Sequence, residues 1–140
     1  MKENIAGILK EMADVANLQD YEKLISFFTD DCIYEDVPTA KICHGPKEFI
    51  DMAKAVHRDF PNHKWDIVSS FSDGHKIASE GIWSGTFTHS NIPDRPATGK
   101  HVSVKTVSIT EIRDGKISRN ADYYDLFSFL QQAGGLPIKL

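Results

Sequence analysis

The sequence predicts an α+β fold in which a curved antiparallel sheet wraps around N-terminal helices as a cone-shaped barrel. Three observations carry that expectation. Apolar residues recur at helical spacing up to about Arg58, and the period changes to two from His63 onward. Glycine-containing turns then sit where long strands would reverse, at Ser72-Asp73-Gly74 and Arg113-Asp114-Gly115. Helices gathered on one face of such a sheet leave a hollow between the two layers, wide at one mouth.

The elements follow in order. Ile5, Ile8, Leu9, Met12, Ala13 and Ala16 form one apolar stripe of a first helix. Asn17-Leu18-Gln19-Asp20 breaks it, and Asp20 can cap a second helix over Tyr21 to Phe28. Residues 32–37 read as a short strand stopped by Pro38. Gly45-Pro46 opens a third helix that runs to about Arg58, proline being harmless in a first turn. Four strands are expected over about 63–72, 76–90, 99–113 and 116–126, with a proline-rich loop at 90–96. A short helix, Leu126 to Ala133, should end at Gly134-Gly135. A bulge is a further expectation between Val104 and Val107, where the apolar phase changes.

A chain of 140 residues is expected to form one domain over residues 1–140, with one sizeable core. With 41% hydrophobic and 26% charged residues it falls in the globular class. A net charge of -4 and no Lys/Arg cluster argue against a nucleic-acid partner. No apolar run approaches a membrane span or a signal peptide, so no membrane partner and a cytoplasmic location are expected. Cys32 and Cys43 read as ordinary core thiols, a disulfide between them staying open.

The final strand carries the chemistry. Asp122 and Asp125 lie three apart among Tyr123, Tyr124 and Phe127, and a carboxyl in apolar surroundings has its charged form disfavoured. Strand alternation puts the two acids on opposite sides, so one faces the interior and the other water. Asp125 can equally cap the last helix, and Asp122 can be an exposed edge carboxylate. Tyr34 is the natural donor to a bound carbonyl. Gly81, Trp83, Gly85 and Phe87 share a face that suits either a flat ligand or plain packing. His101 and Lys105 share another with Ser103 and Val107, where Lys105 is either an oxyanion anchor or a solvated cation. The histidines, His57 and His63 among them, lack metal-site spacing and read as surface or hydrogen-bonded core groups. No GxSxG elbow, P-loop or GxGxxG is present.

Phe60-Pro61-Asn62, Gly85-Thr86-Phe87-Thr88-His89, Ala97-Thr98-Gly99-Lys100, Asp114-Gly115-Lys116-Ile117 and Asp125 with Gln132-Ala133-Gly134-Gly135-Leu136-Pro137 recur in order across nearly the whole chain. In these pieces the sequence resembles the SnoaL-like polyketide cyclase and ester cyclase group of the nuclear-transport-factor-2-like superfamily. The resemblance implies the cone-shaped fold and a homodimer formed through the sheet. It implies no metal and no cofactor, and an aspartate acting as acid and base on a small apolar carbonyl compound. It places that role on Asp125, with Asp122 as the fallback; Tyr34, read above as the carbonyl donor, completes the expected catalytic residues. Trp83, Phe87, His101, Lys105 and Tyr123 are then the expected substrate contacts. Members of the group often carry Glu and Trp where this chain has Arg119 and Ala121, and Arg in place of Glu80. A binding protein of the same fold, without chemistry, is the alternative.

Overall fold

The computed structural model describes residues 5–135, so Met1-Lys2-Glu3-Asn4 and the Leu136-Pro137 part of the resemblance lie outside them. The apolar stripe of the first segment folds as α1 (Ile8–Asn17), which buries Leu9, Met12, Ala13, Val15 and Ala16. Full burial of a side chain such as Leu9 or Met12 is worth roughly 1.5–3 kcal/mol. Asn17 then locks the helix end to the sheet: its side chain accepts from Trp65 N and donates to Trp65 O, both at 2.9 Å. The second helix, α2 (Tyr21–Ile25), is capped by Asp20, which accepts from Lys23 N.

α2 is shorter than its apolar spacing suggests because the chain is already in β1 (Phe28–Asp36) by Phe28. Phe28 is buried, and Ile117 N donates to Phe27 O at 2.8 Å, so pairing with the last strand captures this segment. A 3-10 turn at Val37–Thr39 leads into β2 (Lys41–His44), which the sequence did not announce. Only Cys43 of its four residues is buried, too short a pattern for a period to register. The third helix, α3 (Gly45–Asp59), follows as expected with Pro46 in its first turn.

The strands β3 (Lys64–Ser72), β4 (Lys76–Thr86), β5 (His101–Arg113) and β6 (Lys116–Tyr124) form the meander, and α4 (Leu126–Ala133) closes it. Asp114 and Gly115 both have positive φ, the twisted two-residue turn that right-handed strands favour. All six strands make one curved sheet in the order β2-β1-β6-β5-β4-β3. Every neighbour pair is antiparallel except β1 and β6, which run parallel with Tyr34 opposite Asn120 and Asp36 opposite Asp122. That junction is open to parallel pairing because α3 and four strands separate the two in the chain.

The bulge expected between Val104 and Val107 is absent, since β5 pairs with β4 without a break from His101 to Glu111. Irregularities fall instead at Ile67/Ser69 and Glu111/Ile112. Without that slip β5 alternates strictly. Val102, Val104, Thr106, Ser108 and Thr110 point inward, and His101, Ser103, Lys105, Val107 and Ile109 point outward. Among the described residues no helix is long and apolar enough to cross a membrane.

Candidate functional site

The sheet's inner face and the helices enclose a cavity of about 190 Å³. Its apolar wall comes from α1 (Met12, Ala16), α3 (Phe49, Met52, Ala53, Val56), Phe60, the paired strands (Trp65, Trp83, Val104) and α4 (Phe129). The glycines of β4 serve this wall by packing. A Cβ on Gly81 would stand 2.6 Å from Asp66 O and 3.2 Å from Trp65 Nε1, which donates across it to Thr106 Oγ1. A Cβ on Gly85 would stand 3.0 Å from the Phe60 Cβ. Neither glycine leaves room for a flat ligand.

Into this wall β1 and β6 introduce two acids and two phenols. Alternation turns Tyr34 and Asp36 inward on β1, and Asn120, Asp122 and Tyr124 inward on β6. The pairs cross reciprocally over the parallel junction. Tyr34 OH donates to Asp122 Oδ2, and Tyr124 OH donates to Asp36 Oδ2 at 3.0 Å. Thr39 Oγ1 also donates to Asp36 Oδ2, at 2.5 Å.

Asp122 Oδ1 accepts from Ser108 Oγ at 2.7 Å and from Asn120 Nδ2 at 2.8 Å. Asn120 is itself fixed by Thr110 Oγ1, which donates to its Oδ1 at 2.6 Å. Ser108, Thr110 and Asn120 are all buried, so the carboxylate is held on a rigid polar ladder. Burial nevertheless raises the Asp122 pKa above the ordinary carboxylate range, with Asp36 adding to the rise. The three donors from Tyr34, Ser108 and Asn120 oppose it without reversing it. Burial likewise raises the pKa values of both phenols well above the usual tyrosine value.

Asp125, the first choice for an acid in the hollow, does not face it. It is exposed past the end of β6, where it caps α4: Oδ1 accepts from Ser128 N at 3.2 Å and Oδ2 from Ser128 Oγ at 2.9 Å. Those donors hold its pKa below the ordinary value. The chain has turned out of the strand by this point, so the helix start claims the side chain.

Of the expected substrate contacts, Trp83 lines the cavity. Phe87 is not among the lining residues and stacks behind it on Phe60, ring centroids 5.4 Å apart. His101 and Lys105 lie on the outer face of β5, and Tyr123 is exposed on the outer face of β6, because strand alternation turns all three away. His101 meets Thr86 Oγ1 through its Nδ1 at 3.1 Å.

Sequence reasoning missed Asp36, Tyr124 and a histidine pair. His57 from α3 and His63 before β3 both line the cavity, with His63 Nδ1 2.9 Å from His57 Nε2. The available signal was position: His57 follows Ala53 and Val56 on the buried stripe of α3, and His63 stands just before β3, two residues from Trp65. Among the described residues no cluster of three His, Cys, Asp or Glu could hold a metal ion. Cys32 and Cys43 are buried free thiols, and burial raises the Cys32 pKa to about 11.

The fold has structural counterparts among solved proteins. IdmH of Streptomyces antibioticus, assigned as a polyketide cyclase, superposes with a TM-score of 0.81 at 18% identity, covering 94% of this chain and 99% of its own. TsrD of Streptomyces laurentii gives 0.79 at 19% identity, over 92% and 93% of the two chains. A protein of ketosteroid isomerase-like fold from Catenulispora acidiphila, solved with trimethylamine, gives 0.78 at 19%, over 91% and 92%. At these identities the likeness establishes a shared fold, the ketosteroid isomerase-like one. No curated protein matches the chain in sequence. The profile of one family does match, over residues 6–133, and with nearly the whole chain inside that match the chain belongs to the SnoaL-like polyketide cyclases.

Proposed function

We propose that this protein is a cofactor-independent acid/base enzyme of the cyclase/isomerase type, acting on a small apolar carbonyl compound with Asp122 as the proton-transferring group. The observation that carries the reading is a carboxyl with a raised pKa, fixed by three donors in the wall of an otherwise apolar cavity.

The chemistry follows from what each group can give. The Asp122 carboxylate takes a proton from the carbon next to a ligand carbonyl, and the C–H electron pair moves onto the carbonyl oxygen. A protonated carboxyl needs fewer donors than a carboxylate, so the Tyr34 hydrogen can turn to the developing oxyanion. The enolate carbon then attacks a second carbonyl of the same molecule, or is reprotonated elsewhere. Asp122 returns its proton to the new alkoxide or carbon, which closes the cycle.

The test is exchange of the α-protons of 2-tetralone, a flat enolisable ketone, followed by proton NMR in D2O. Asp122→Asn should lower the rate about a hundredfold or more. No exchange by the native protein, or full exchange by the variant, overturns the assignment. A second reading, ligand binding without chemistry, draws on the protein donors that already engage both Asp122 oxygens, two at Oδ1 and one at Oδ2. It expects 2-tetralone to bind and never exchange.

We also propose a homodimer through the outer face of the sheet. Val68, Ile82, Val107 and Tyr123 leave large apolar side chains exposed there, with Glu80 and Lys105 beside them. A face with one acid and one base among apolar groups is self-complementary under two-fold symmetry. Val107→Glu should convert a dimer to a monomer in light scattering, and a native monomer at high concentration refutes the proposal.

A further inference from the structure

A hydrogen-bonded chain runs from the second helix to the cavity. Tyr21 OH lies 2.9 Å from His57 Nδ1, and His57 Nε2 lies 2.9 Å from His63 Nδ1. Tyr21 is half-buried on α2, beside the exposed Lys54, whose Nζ stands 5.3 Å from the ring centroid. His63 is held at the other end by Trp83, ring centroids 5.2 Å apart and planes at 34°. Its Nε2 has no hydrogen-bond partner among the described residues, and His63 lines the cavity.

We propose that Tyr21, His57 and His63 form a charge-neutral proton relay that connects the α2 surface to the cavity, with His63 Nε2 as the group that meets a ligand carbonyl or hydroxyl. This rests on the acid/base reading above only in placing a carbonyl compound in that cavity.

The geometry permits two arrangements of the same hydrogens. In one, Tyr21 donates to His57 Nδ1, His57 Nε2–H donates to His63 Nδ1, and His63 offers Nε2–H to the cavity. In the other, His63 Nδ1–H donates to His57 Nε2, His57 Nδ1–H donates to Tyr21, and His63 offers a lone pair. Both rings therefore carry their hydrogen on the same-named nitrogen in either state.

A proton arriving at His63 Nε2 displaces the Nδ1 proton to His57, the His57 Nδ1 proton to Tyr21, and the phenol hydrogen to water. One proton enters and one leaves. Only N–H and O–H bonds change, and neither ring is charged before or after. Run backwards, the chain supplies a proton to an oxyanion. Asp122 takes the proton from carbon, and the relay is a second source for a proton on oxygen beside the return from Asp122.

The surroundings suit neutral rings. Burial lowers both pKa values, that of His63 to about 3 with His57 contributing, while the Ala53 carbonyl opposes the shift at His57. The groups facing the pair are Tyr21 on α2 with Lys54 beside it, Trp83 on β4, and Asp36, Asp122 and Tyr124 elsewhere in the same cavity wall.

Ring-nitrogen NMR of the 15N-labelled full chain tests this directly, since the shifts report which nitrogen carries the hydrogen. Between about pH 5 and 8 the His63 ring should stay neutral, and His57 should titrate below the ordinary histidine value. Tyr21→Phe, which removes the outer end of the chain and little else, should shift the tautomer ratio of the two rings by matching amounts. 2-Tetralone near its solubility limit offers only acceptors, so it should raise the Nε2–H form of both rings together, about fivefold for one added hydrogen bond. His63→Gln should leave His57 blind to the ketone. Rings that titrate near the ordinary histidine value, rings that respond independently, or no response to the ketone each overturn the relay.

The Asp122→Asn exchange assay separates the two ideas. Lost exchange with unresponsive rings removes the relay and leaves the acid/base assignment. Coupled rings with exchange unaffected in Asp122→Asn do the reverse.

Discussion

Asp122 and Asp125 are the same residue type, three positions apart on one segment, and the fold drives them to opposite behaviour. Asp122 is the last inward acid of β6 and meets a buried wall, so burial raises its pKa against three donors. Asp125 stands one residue beyond the strand in water, and the first turn of α4 supplies donors that lower its pKa. The lesson is that a carboxyl's chemistry follows the solvent it loses and the donors it gains, more than the residues beside it in the chain.

The largest expected effect is the contrast in activity. Asp122→Asn should cost about a hundredfold or more in 2-tetralone exchange, whereas Asp125→Asn should leave the rate within about twofold. Equal losses in both variants would erase the distinction between them.

Tyr34→Phe sharpens the comparison next. It removes one of the donors that favours the charged form of Asp122, so the Asp122 pKa should rise further. The acid limb of the pH–rate profile should then move to higher pH, with the rate at neutral pH down about tenfold from the lost donor. An unmoved acid limb would mean that Tyr34 does not tune this carboxyl.

Stability against pH should separate the two acids by sign. The Asp122 contribution is fully present below its ordinary value of 3.8 and is lost as pH rises through its higher folded value. The Asp125 contribution is present above 3.8 and is lost as pH falls through its lower folded value. Melting curves of the native protein and the two Asn variants, taken across acid pH, should show differences of opposite slope. Asp125→Ala should also lower the melting midpoint by a few degrees at neutral pH through loss of the cap.

The smallest expected effect is none. Lys105→Ala and His101→Ala lie on the outer face and should leave ketone exchange unchanged. A tenfold loss in either would place that side chain at the site despite its orientation.

The helices, the meander and its two glycine turns were legible because hydrophobic period and turn chemistry are local. β2 and the early start of β1 were not, since four residues carry no period and Phe28 is drawn into the sheet by Ile117. The site was half legible. Tyr34 and Asp122 were named from their types and the strand phase, and Trp83 from its face. His101, Lys105 and Tyr123 misled because β5 inverts the usual pattern. Its inner face turns polar at Thr106, which accepts from Trp65, and at Ser108 and Thr110, which hold Asp122 and Asn120, while Val107 and Ile109 sit outside.

The amino-acid order by itself settled the helices and the four-strand meander, where that meander turns, and to which family the chain belongs. It also settled that Asp122 shares a face with Asn120 and Tyr124, because alternation is a property of the extended backbone, and that Asp125 can cap the last helix. Only the tertiary structure decided which side is the inside. That choice depends on the parallel pairing of β1 with β6, which sets Tyr34 against Asp122 and Tyr124 against Asp36 across 88 residues of sequence. It depends equally on the packing of α3 against the sheet, which brings His57 to His63. Contacts between distant segments follow from register and crossover, and no local pattern encodes them.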